Sequence, residues 1–84
     1  MLYRALEGAR ARIEAGERDG EVIRMLLAER VTATPGAVLD YAAVVDADTP
    51  APVARLSGAT LLALAVKFGS TRLIDNLHYE VRDA

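Results

Sequence analysis

The feature that most constrains the fold is a long apolar stretch followed at once by a glycine turn. Residues 59–68 read Ala-Thr-Leu-Leu-Ala-Leu-Ala-Val-Lys-Phe, and polar side chains do not recur in this stretch at helix spacing. Gly69-Ser70 follows, and glycine readily adopts the positive φ that a two-residue hairpin turn requires at its first central position. The sequence therefore predicts two strands within residues 58–77, joined as a hairpin by Gly69-Ser70.

The composition limits both the size of the protein and its ligands. A chain of 84 residues forms at most one small domain, which is only marginally stable alone and therefore favours a partner surface. The net charge is -2 and the arginines are interleaved with glutamates, so we expect no nucleic-acid partner. Cysteine is absent, which excludes disulfides, thiolate metal sites and cysteine nucleophiles.

Neither a membrane span nor a secretion signal is expected. No stretch approaches the roughly 20 consecutive apolar residues that a transmembrane helix needs. The first residues mix charged and apolar side chains as an amphipathic helix does, unlike a signal peptide. We therefore expect a cytoplasmic protein with no membrane partner.

The first third of the sequence predicts two helices. The first has an apolar face whose residues are spaced four, three and four apart: Leu2, Leu6, Ala9 and Ile13. Gly16 is a natural helix stop, and Asp19 is suited to cap a second helix that extends to about residue 30. The second helix has an apolar stripe of its own, formed by Val22, Ile23, Leu26 and Leu27. Met25 is expected to fill a gap in the core beside that stripe.

A strand is predicted at residues 37–46, after the turn that Pro35-Gly36 marks. One face of this strand carries Leu39, Tyr41, Ala43 and Val45, and the other carries Val38, Asp40, Ala42 and Val44. Because only the second face includes a charge, we expect the Leu39 face to meet the helices.

The predicted elements combine into a two-layer α+β fold. Asp48 or Thr49, followed by Pro50, is typical of a helix start, so one short helix is expected between the first two strands, up to about Arg55. The three strands form an antiparallel sheet that the two N-terminal helices cover on one face. On the second strand Leu61, Ala63, Ala65 and Lys67 share a face, whose small alanines suggest the close approach of another domain or another copy.

Few residues offer catalytic or metal chemistry, and each has a simpler structural explanation. Lys67, near the end of a strand, is expected to be a solvated amine rather than a nucleophile. Asp46 and Asp48 are better explained as helix-capping residues than as paired catalytic carboxylates. His78 is the only histidine and has no second ligand at a recognisable spacing, so no metal site is expected.

Arg72, Asp75 and Asn76 remain as candidate contacts with another domain. In an alternating strand Arg72 shares a face with Asn76, whereas Asp75 lies on the opposite face with Leu73 and Leu77. An aspartate between leucines either caps free backbone amides or pairs with a basic group across an interface. The sequence leaves both explanations open.

Four motifs, in this order and spacing, carry a family resemblance: Gly16-Glu17-Arg18-Asp19, Asp40-Tyr41, Asp46-Ala47-Asp48-Thr49 and Phe68-Gly69-Ser70-Thr71-Arg72-Leu73-Ile74-Asp75-Asn76. Together they resemble the C-terminal domain of the pantothenate synthetase, or pantoate–β-alanine ligase, family over nearly the whole chain. The sequence departs from the family pattern at Pro50, where the family usually has leucine, and this departure bears on how the short helix packs.

The resemblance implies a reaction that depends on ATP and Mg²⁺. In such a ligase, pantoate and ATP form a pantoyl-adenylate, and the amine of β-alanine then displaces AMP to give pantothenate. The family's N-terminal nucleotide-binding domain, with a His-containing signature and a Lys-Met-Ser-type loop, has no counterpart in residues 1–84. The resemblance therefore implies a single domain that caps the active-site cleft of its N-terminal partner domain. No catalytic, cofactor-binding or metal-binding residue is assigned to it, and it is expected to be inactive alone.

A function of a different class stays open beside this one. The alanine-lined sheet face and the strand edges favour self-association, so the chain also fits a stand-alone α+β interaction module. A homodimer is expected in either case.

Overall fold

The computed structural model describes residues 2–48 and 54–81, which form two helices followed by three strands. The helices are α1 (Leu2–Glu14) and α2 (Gly20–Thr32). The strands are β1 (Ala37–Asp46), β2 (Gly58–Phe68) and β3 (Thr71–Val81). Both helices pack against one face of the sheet, so the α+β fold expected from the sequence is confirmed.

A Schellman turn ends α1. The Glu17 amide donates to the Arg12 carbonyl at 3.1 Å, and the Gly16 amide donates to the Ile13 carbonyl at 3.0 Å. Gly16 has a φ of 117°, which residues with a side chain rarely adopt. Asp19 then caps α2, because its Oδ1 accepts hydrogen bonds from two first-turn amides at 2.9 and 3.4 Å. The predicted helix stop and helix cap are both confirmed.

The strands lie in the order β1-β2-β3, with β2 in the centre of an antiparallel sheet. The Phe68–Thr71 pair closes the hairpin between β2 and β3, which leaves Gly69-Ser70 as its loop. Gly69 has a φ of 60°, and Ser70 is not among the residues with positive φ, a combination typical of a type II′ turn. The glycine-dependent hairpin predicted from the sequence is confirmed.

A β-bulge lies in the middle of β1. Leu39 pairs with Val66 and Tyr41 pairs with Ala65, so Asp40 is an extra residue between two positions whose partners are consecutive. Side chains alternate between the two faces of a regular strand, and one extra residue reverses that alternation. Odd-numbered residues therefore face the helices before the bulge, and even-numbered residues face them after it.

The bulge corrects the predicted orientation of β1. Before Asp40 the residue packed on the core is Leu39, as expected, but after it the buried residue is Val44. The expectation that Leu39 would be joined against the helices by Tyr41, Ala43 and Val45 is wrong, because these three follow the inserted residue.

The hydrophobic core lies between the helices and the sheet. The predicted face of α1 is buried in full, and α1 contributes Leu2, Ala5, Leu6, Ala9 and Ile13. Helix α2 contributes Ile23, Leu27 and Val31, and the sheet contributes Val44, Leu62, Leu64, Val66 and Val81. Met25 is 48% exposed, so its predicted place in the core is wrong. It lies two residues from both Ile23 and Leu27, and a spacing of two points a helical side chain away from its neighbours.

The segment that precedes β2 is joined to the turn between the helices. The Leu56 amide donates to the Arg18 carbonyl at 2.7 Å, and Asp19 forms an isolated β-bridge with Arg55. Leu56 is fully buried, so it anchors this segment in the core. The short helix predicted up to Arg55 is not seen: residues 49–53 lie outside the described residues, and Arg55 itself is in the bridge.

Candidate functional site

The sheet face opposite the helices is not covered by a helix and is partly apolar; we call it the outer face. Its residues are exposed or partly buried, except for Ala65, which is fully buried. Strand alternation places on it the residues that lie between core positions: Val38, Tyr41, Ala43 and Val45 of β1; Ala59, Leu61, Ala63, Ala65 and Lys67 of β2; and Arg72, Ile74, Asn76, His78 and Glu80 of β3. Val38 is 62% exposed and Ile74 is 55% exposed. Exposed apolar residues are ordinary when isolated, but here adjacent strands bring them onto one surface.

Two contacts hold Arg72 near the hairpin end of the outer face. Its Nε donates to Asp40 Oδ2 at 2.6 Å, and its guanidinium carbon lies 5.9 Å from the centroid of the Tyr41 ring. Asp40 and Tyr41 are consecutive, and in a regular strand they would point to opposite faces. The bulge therefore allows both to contact one arginine. The Arg72 and Asp40 side chains are 47% and 30% exposed, so water screens the ion pair to about 0.2–1 kcal/mol.

The three contact residues predicted on β3 do not form one cluster. Arg72 and Asn76 lie on the outer face, whereas Asp75, which pairs with Leu64, lies on the face of the helices. Asp75 Oδ1 accepts the backbone amide of Asn76 at 2.8 Å. This hydrogen bond is a local cap of a backbone amide, which is one of the two explanations that the sequence left open for Asp75. A contact between these residues and another domain stays a prediction.

The other candidate residues are explained by structural roles or by simple exposure to solvent. Lys67 and His78 are exposed on the outer face. Asp46 Oδ1 accepts the Asp48 amide at 2.8 Å, a turn that aspartate commonly makes with the backbone two residues on. Within residues 2–48 and 54–81, no group of three or more His, Cys, Asp or Glu could hold a metal ion. The same ranges contain no helix that is long and apolar enough to cross a membrane.

One ion pair with a perturbed pKa lies on α2. Arg24 donates to the two carboxylate oxygens of Glu21 at 2.6 and 2.9 Å. These hydrogen bonds lower the pKa of the Glu21 carboxyl from its ordinary value of 4.5, with a smaller contribution from the charge of Arg24 and a small opposing effect of desolvation. The same bonds raise the pKa of Arg24. Both side chains are exposed on the surface of the helix, so the pair is a local surface contact.

Sequence reasoning missed Asp40 and Tyr41 as the partners of Arg72. The available signal was an aspartate in the interior of a largely apolar strand, and an arginine of opposite charge at the start of β3. Pairing them requires knowledge that β1 and β3 flank the same central strand and that β1 is bulged. The alternation of apolar residues along a strand indicates neither the strand order nor the bulge.

Comparison with known proteins points to one family. The family described as Pantoate-beta-alanine ligase matches residues 1–78. The pantothenate synthetase of Moorella thermoacetica is 48% identical over 82 residues, which are 98% of this chain and 29% of that protein. Pantothenate synthetase 2 of Frankia alni is 51% identical over 83 residues, which are 99% of this chain and 24% of that protein.

A solved structure has the same fold. The crystal structure of pantothenate synthetase from Thermus thermophilus matches with a TM-score of 0.82 at 32% identity, over 98% of this chain and 29% of that chain. The chain thus spans less than a third of the length of the relatives it matches, and its resemblance to their C-terminal domain is confirmed. By sequence and by fold, this chain belongs to the pantoate–β-alanine ligase family.

Proposed function

We propose that this chain serves as the C-terminal domain of an ATP-dependent ligase that joins pantoate to β-alanine and makes pantothenate in the cytoplasm. The observation that carries the proposal is the fold match to the Thermus thermophilus pantothenate synthetase over 98% of the chain. The family match over residues 1–78 supports the same assignment.

The proposed chemistry explains why such a ligase needs a closing domain. The pantoate carboxylate attacks the α-phosphorus of ATP, which forms a pantoyl-adenylate and releases pyrophosphate. The amine of β-alanine then attacks the acyl carbon, and AMP leaves. Water attacks the same acyl carbon and would waste the adenylate, so a domain that closes over the cleft protects the intermediate by excluding water.

The outer face has features suited to such closure. Ala63 lies at its centre and is only partly buried, and its small side chain allows another surface to approach the strand backbone closely. Arg72 is already oriented by Asp40, so less side-chain freedom is lost when it meets a partner, and its guanidinium retains further N–H donors. Of the three predicted contact residues, we assign Arg72 and Asn76, which lie on the outer face, as contacts with the N-terminal nucleotide-binding domain. Asp75 lies on the face of the helices and accepts the Asn76 amide, so the outer face does not carry its predicted contact.

ATP and Mg²⁺ belong, in this proposal, to that N-terminal domain. The described residues do not fit Mg²⁺, since no three potential cation ligands converge among them. Several carboxylates are already engaged: Asp19 and Asp46 accept backbone amides, and Asp40 accepts the Arg72 guanidinium. The proposal therefore gives this chain no reaction step, and the chain alone is expected to be inactive.

A chimera tests the proposal. Residues 1–84 would replace the C-terminal domain of the M. thermoacetica pantothenate synthetase, and pantothenate formation would be measured. We expect the chimera to make pantothenate, and the isolated chain to show no pantoate-dependent exchange between ATP and pyrophosphate. Turnover by the isolated chain, or a folded chimera without activity, would contradict the proposal.

The assigned contacts are tested in the same chimera. Combined Arg72→Ala and Asn76→Ala substitutions should slow pantothenate formation, because they remove polar contacts that hold the closed state. Arg24→Ala on the surface of α2 is the matched control and should leave the rate unchanged, since Arg24 contacts Glu21 of its own helix. Equal rates in all three proteins would remove Arg72 and Asn76 from the interdomain contact.

A further inference from the structure

We infer that a cleft between the two helices binds a small anion with two phosphoryl groups, held by Arg4 of α1 and Arg30 of α2. The cleft, which we call the helix-end cleft, lies where the start of α1 meets the end of α2, on the other side of the sheet from the outer face. The inference does not depend on the ligase proposal, because it rests on the shape of this cleft and on the charges that line it.

The helix-end cleft has the size of a ligand site. Its volume is about 630 Å³, and its lining comes from both helices and the residues after α2: Arg4, Ala5, Arg30, Ala33 and Thr34. Pockets for small molecules typically measure about 300–1,000 Å³. The cleft therefore has room for a group larger than a single phosphate.

The Arg30 guanidinium lies over Gly8 of α1. A Cβ added to Gly8 would lie 3.5 Å from Arg30 Nη2 and 3.9 Å from the guanidinium carbon. Gly8 follows Arg4 by four residues, so the two lie in adjacent turns on one face of α1. Arg30 thus reaches from α2 to the helix surface that also carries Arg4, and both arginines line the same cleft.

Neither arginine is neutralised by a carboxylate. Within residues 2–48 and 54–81, Arg4 and Arg30 form no ion pair. The other arginines of these ranges each have an interaction partner: Arg10, Arg12, Arg18, Arg24, Arg55 and Arg72. A cleft lined by charge of one sign concentrates ions of the opposite sign, so the two unpaired arginines favour an anion there.

The carbonyl oxygens at the end of α2 are already bonded. Free carbonyls give the end of a helix a partial negative charge, which would repel an anion. Thr34 Oγ1 donates to the Arg30 carbonyl at 2.8 Å, and the Thr34 amide donates to the Val31 carbonyl at 3.0 Å. The arginine side chains, rather than the helix end, therefore set the charge of the cleft.

Two guanidinium groups select a ligand with two phosphoryl groups. Each guanidinium is a planar fork of N–H donors that can bind two oxygens of one phosphoryl group. An anion with two such groups gives each arginine its own partner. Nucleic acid is not the expected ligand, because its binding depends on many phosphate contacts and the cleft offers two cations.

Titration of the purified chain with pyrophosphate tests the site. The Nε–H NMR signals of Arg4 and Arg30 should shift together, with a dissociation constant on the order of 1 mM at low salt, because both side chains are exposed and water competes. Arg4→Gln and Arg30→Gln should each weaken binding at least fivefold. Arg12→Gln is the matched control: it removes the same charge from α1, outside the cleft, and should leave binding unchanged.

Substitution of Gly8 tests the geometry without a change of charge. Gly8→Leu places a side chain where the Arg30 guanidinium lies, so it should weaken pyrophosphate binding at least fivefold. Gly8→Ala is the control and should bind like the wild type, since its Cβ makes only an ordinary contact with a flexible side chain. Circular dichroism checks that each variant keeps the fold. A folded Gly8→Leu protein that binds like the wild type would overturn the placement of Arg30.

Two further ligands test the class and its source. Inorganic phosphate should bind at least tenfold more weakly than pyrophosphate, because it engages one arginine at a time. ADP should shift the same two Nε–H signals; tighter binding than pyrophosphate would identify a nucleotide as the source of the diphosphate, and weaker binding would identify the free anion.

The inference fails if neither Nε–H signal shifts at about 20 mM pyrophosphate, twentyfold above the expected constant. It also fails if Arg12→Gln weakens binding as much as Arg4→Gln and Arg30→Gln do, which would mean that pyrophosphate responds only to net charge. None of these results bears on pantothenate formation by the chimera, so failure of the anion site and failure of the ligase proposal are distinguishable.

Discussion

Arg72 Nε donates to Asp40 Oδ2 at 2.6 Å, and this bond joins two strands that are not neighbours in the sheet. Asp40 belongs to β1 and Arg72 to β3, 32 positions apart in the chain, with the central strand between them. The bond exists because the bulge inserts Asp40 into β1 and changes the direction of the strand there. The bulge thus links the two edge strands of the sheet and orients Arg72 near the hairpin.

The first prediction concerns the strength of this bond. A double-mutant cycle of Asp40→Asn and Arg72→Gln should give a coupling free energy of about 0.5 kcal/mol, since both side chains are partly exposed. The coupling should nearly vanish in about 1 M salt, where charges are screened within about 3 Å. Urea unfolding of the four proteins at low and high salt measures it. A coupling that salt does not change would mean that the pair acts through packing rather than charge.

The second prediction tests the bulged register of β1 with two neighbouring valines. Val44→Thr should lower the free energy of unfolding by about 1–3 kcal/mol, because it buries a hydroxyl in the core. Val45→Thr is the matched control on the outer face and should change stability by less than about 0.5 kcal/mol. Denaturant midpoints of the two variants decide the matter. If Val45→Thr were the more destabilising of the two, the result would indicate that β1 is regular and has no bulge.

The third prediction compares two glycines. Gly69→Ala should destabilise the chain by about 1–2 kcal/mol, because Gly69 has a φ of 60° that alanine adopts only with strain. Gly8→Ala should instead stabilise it by up to about 1 kcal/mol through helix propensity. The added Cβ would lie 3.5 Å from Arg30 Nη2, an ordinary contact with a flexible side chain. Thermal unfolding of both variants measures the difference, and a stabilised Gly69→Ala protein would contradict the turn geometry.

The fourth prediction concerns pH. The hydrogen bonds from Arg24 lower the pKa of Glu21 below 4.5, so Arg24→Gln should raise this pKa toward 4.5. Because the pKa is lower in the folded chain than in the unfolded chain, the pair stabilises the fold above about pH 4.5. That contribution is lost as the pH falls through the folded-state pKa. NMR titration of the Glu21 side-chain carboxyl measures the pKa, and an unchanged value in Arg24→Gln would refute the assignment.

The elements that local chemistry determines could be predicted from the sequence. The apolar face of α1, the Gly16 stop, the Asp19 cap and the Gly69 hairpin each depend on residues within a few positions of one another. These features follow from helix spacing, side-chain capping and the conformational freedom of glycine, so no tertiary information was needed.

The orientation of β1 and the partners of Arg72 could not be predicted in this way. Both faces of β1 are largely apolar, so alternation alone does not decide which face meets the helices, and a single inserted residue reverses it. The bond between Arg72 and Asp40 depends on that bulge and on the strand order. The predicted core position of Met25 is wrong for a related reason, because the apolar residues of α2 extend around the helix beyond those that are buried.

The central claim is that this chain contributes closure and no reactive group, and the ratio of AMP to pantothenate tests it most directly. The isolated N-terminal domain of the M. thermoacetica pantothenate synthetase should release more AMP than pantothenate, because water reaches the unprotected adenylate. Fused to residues 1–84, the same domain should release AMP and pantothenate in equal amounts. An AMP excess that persists unchanged in the folded fusion would contradict the account.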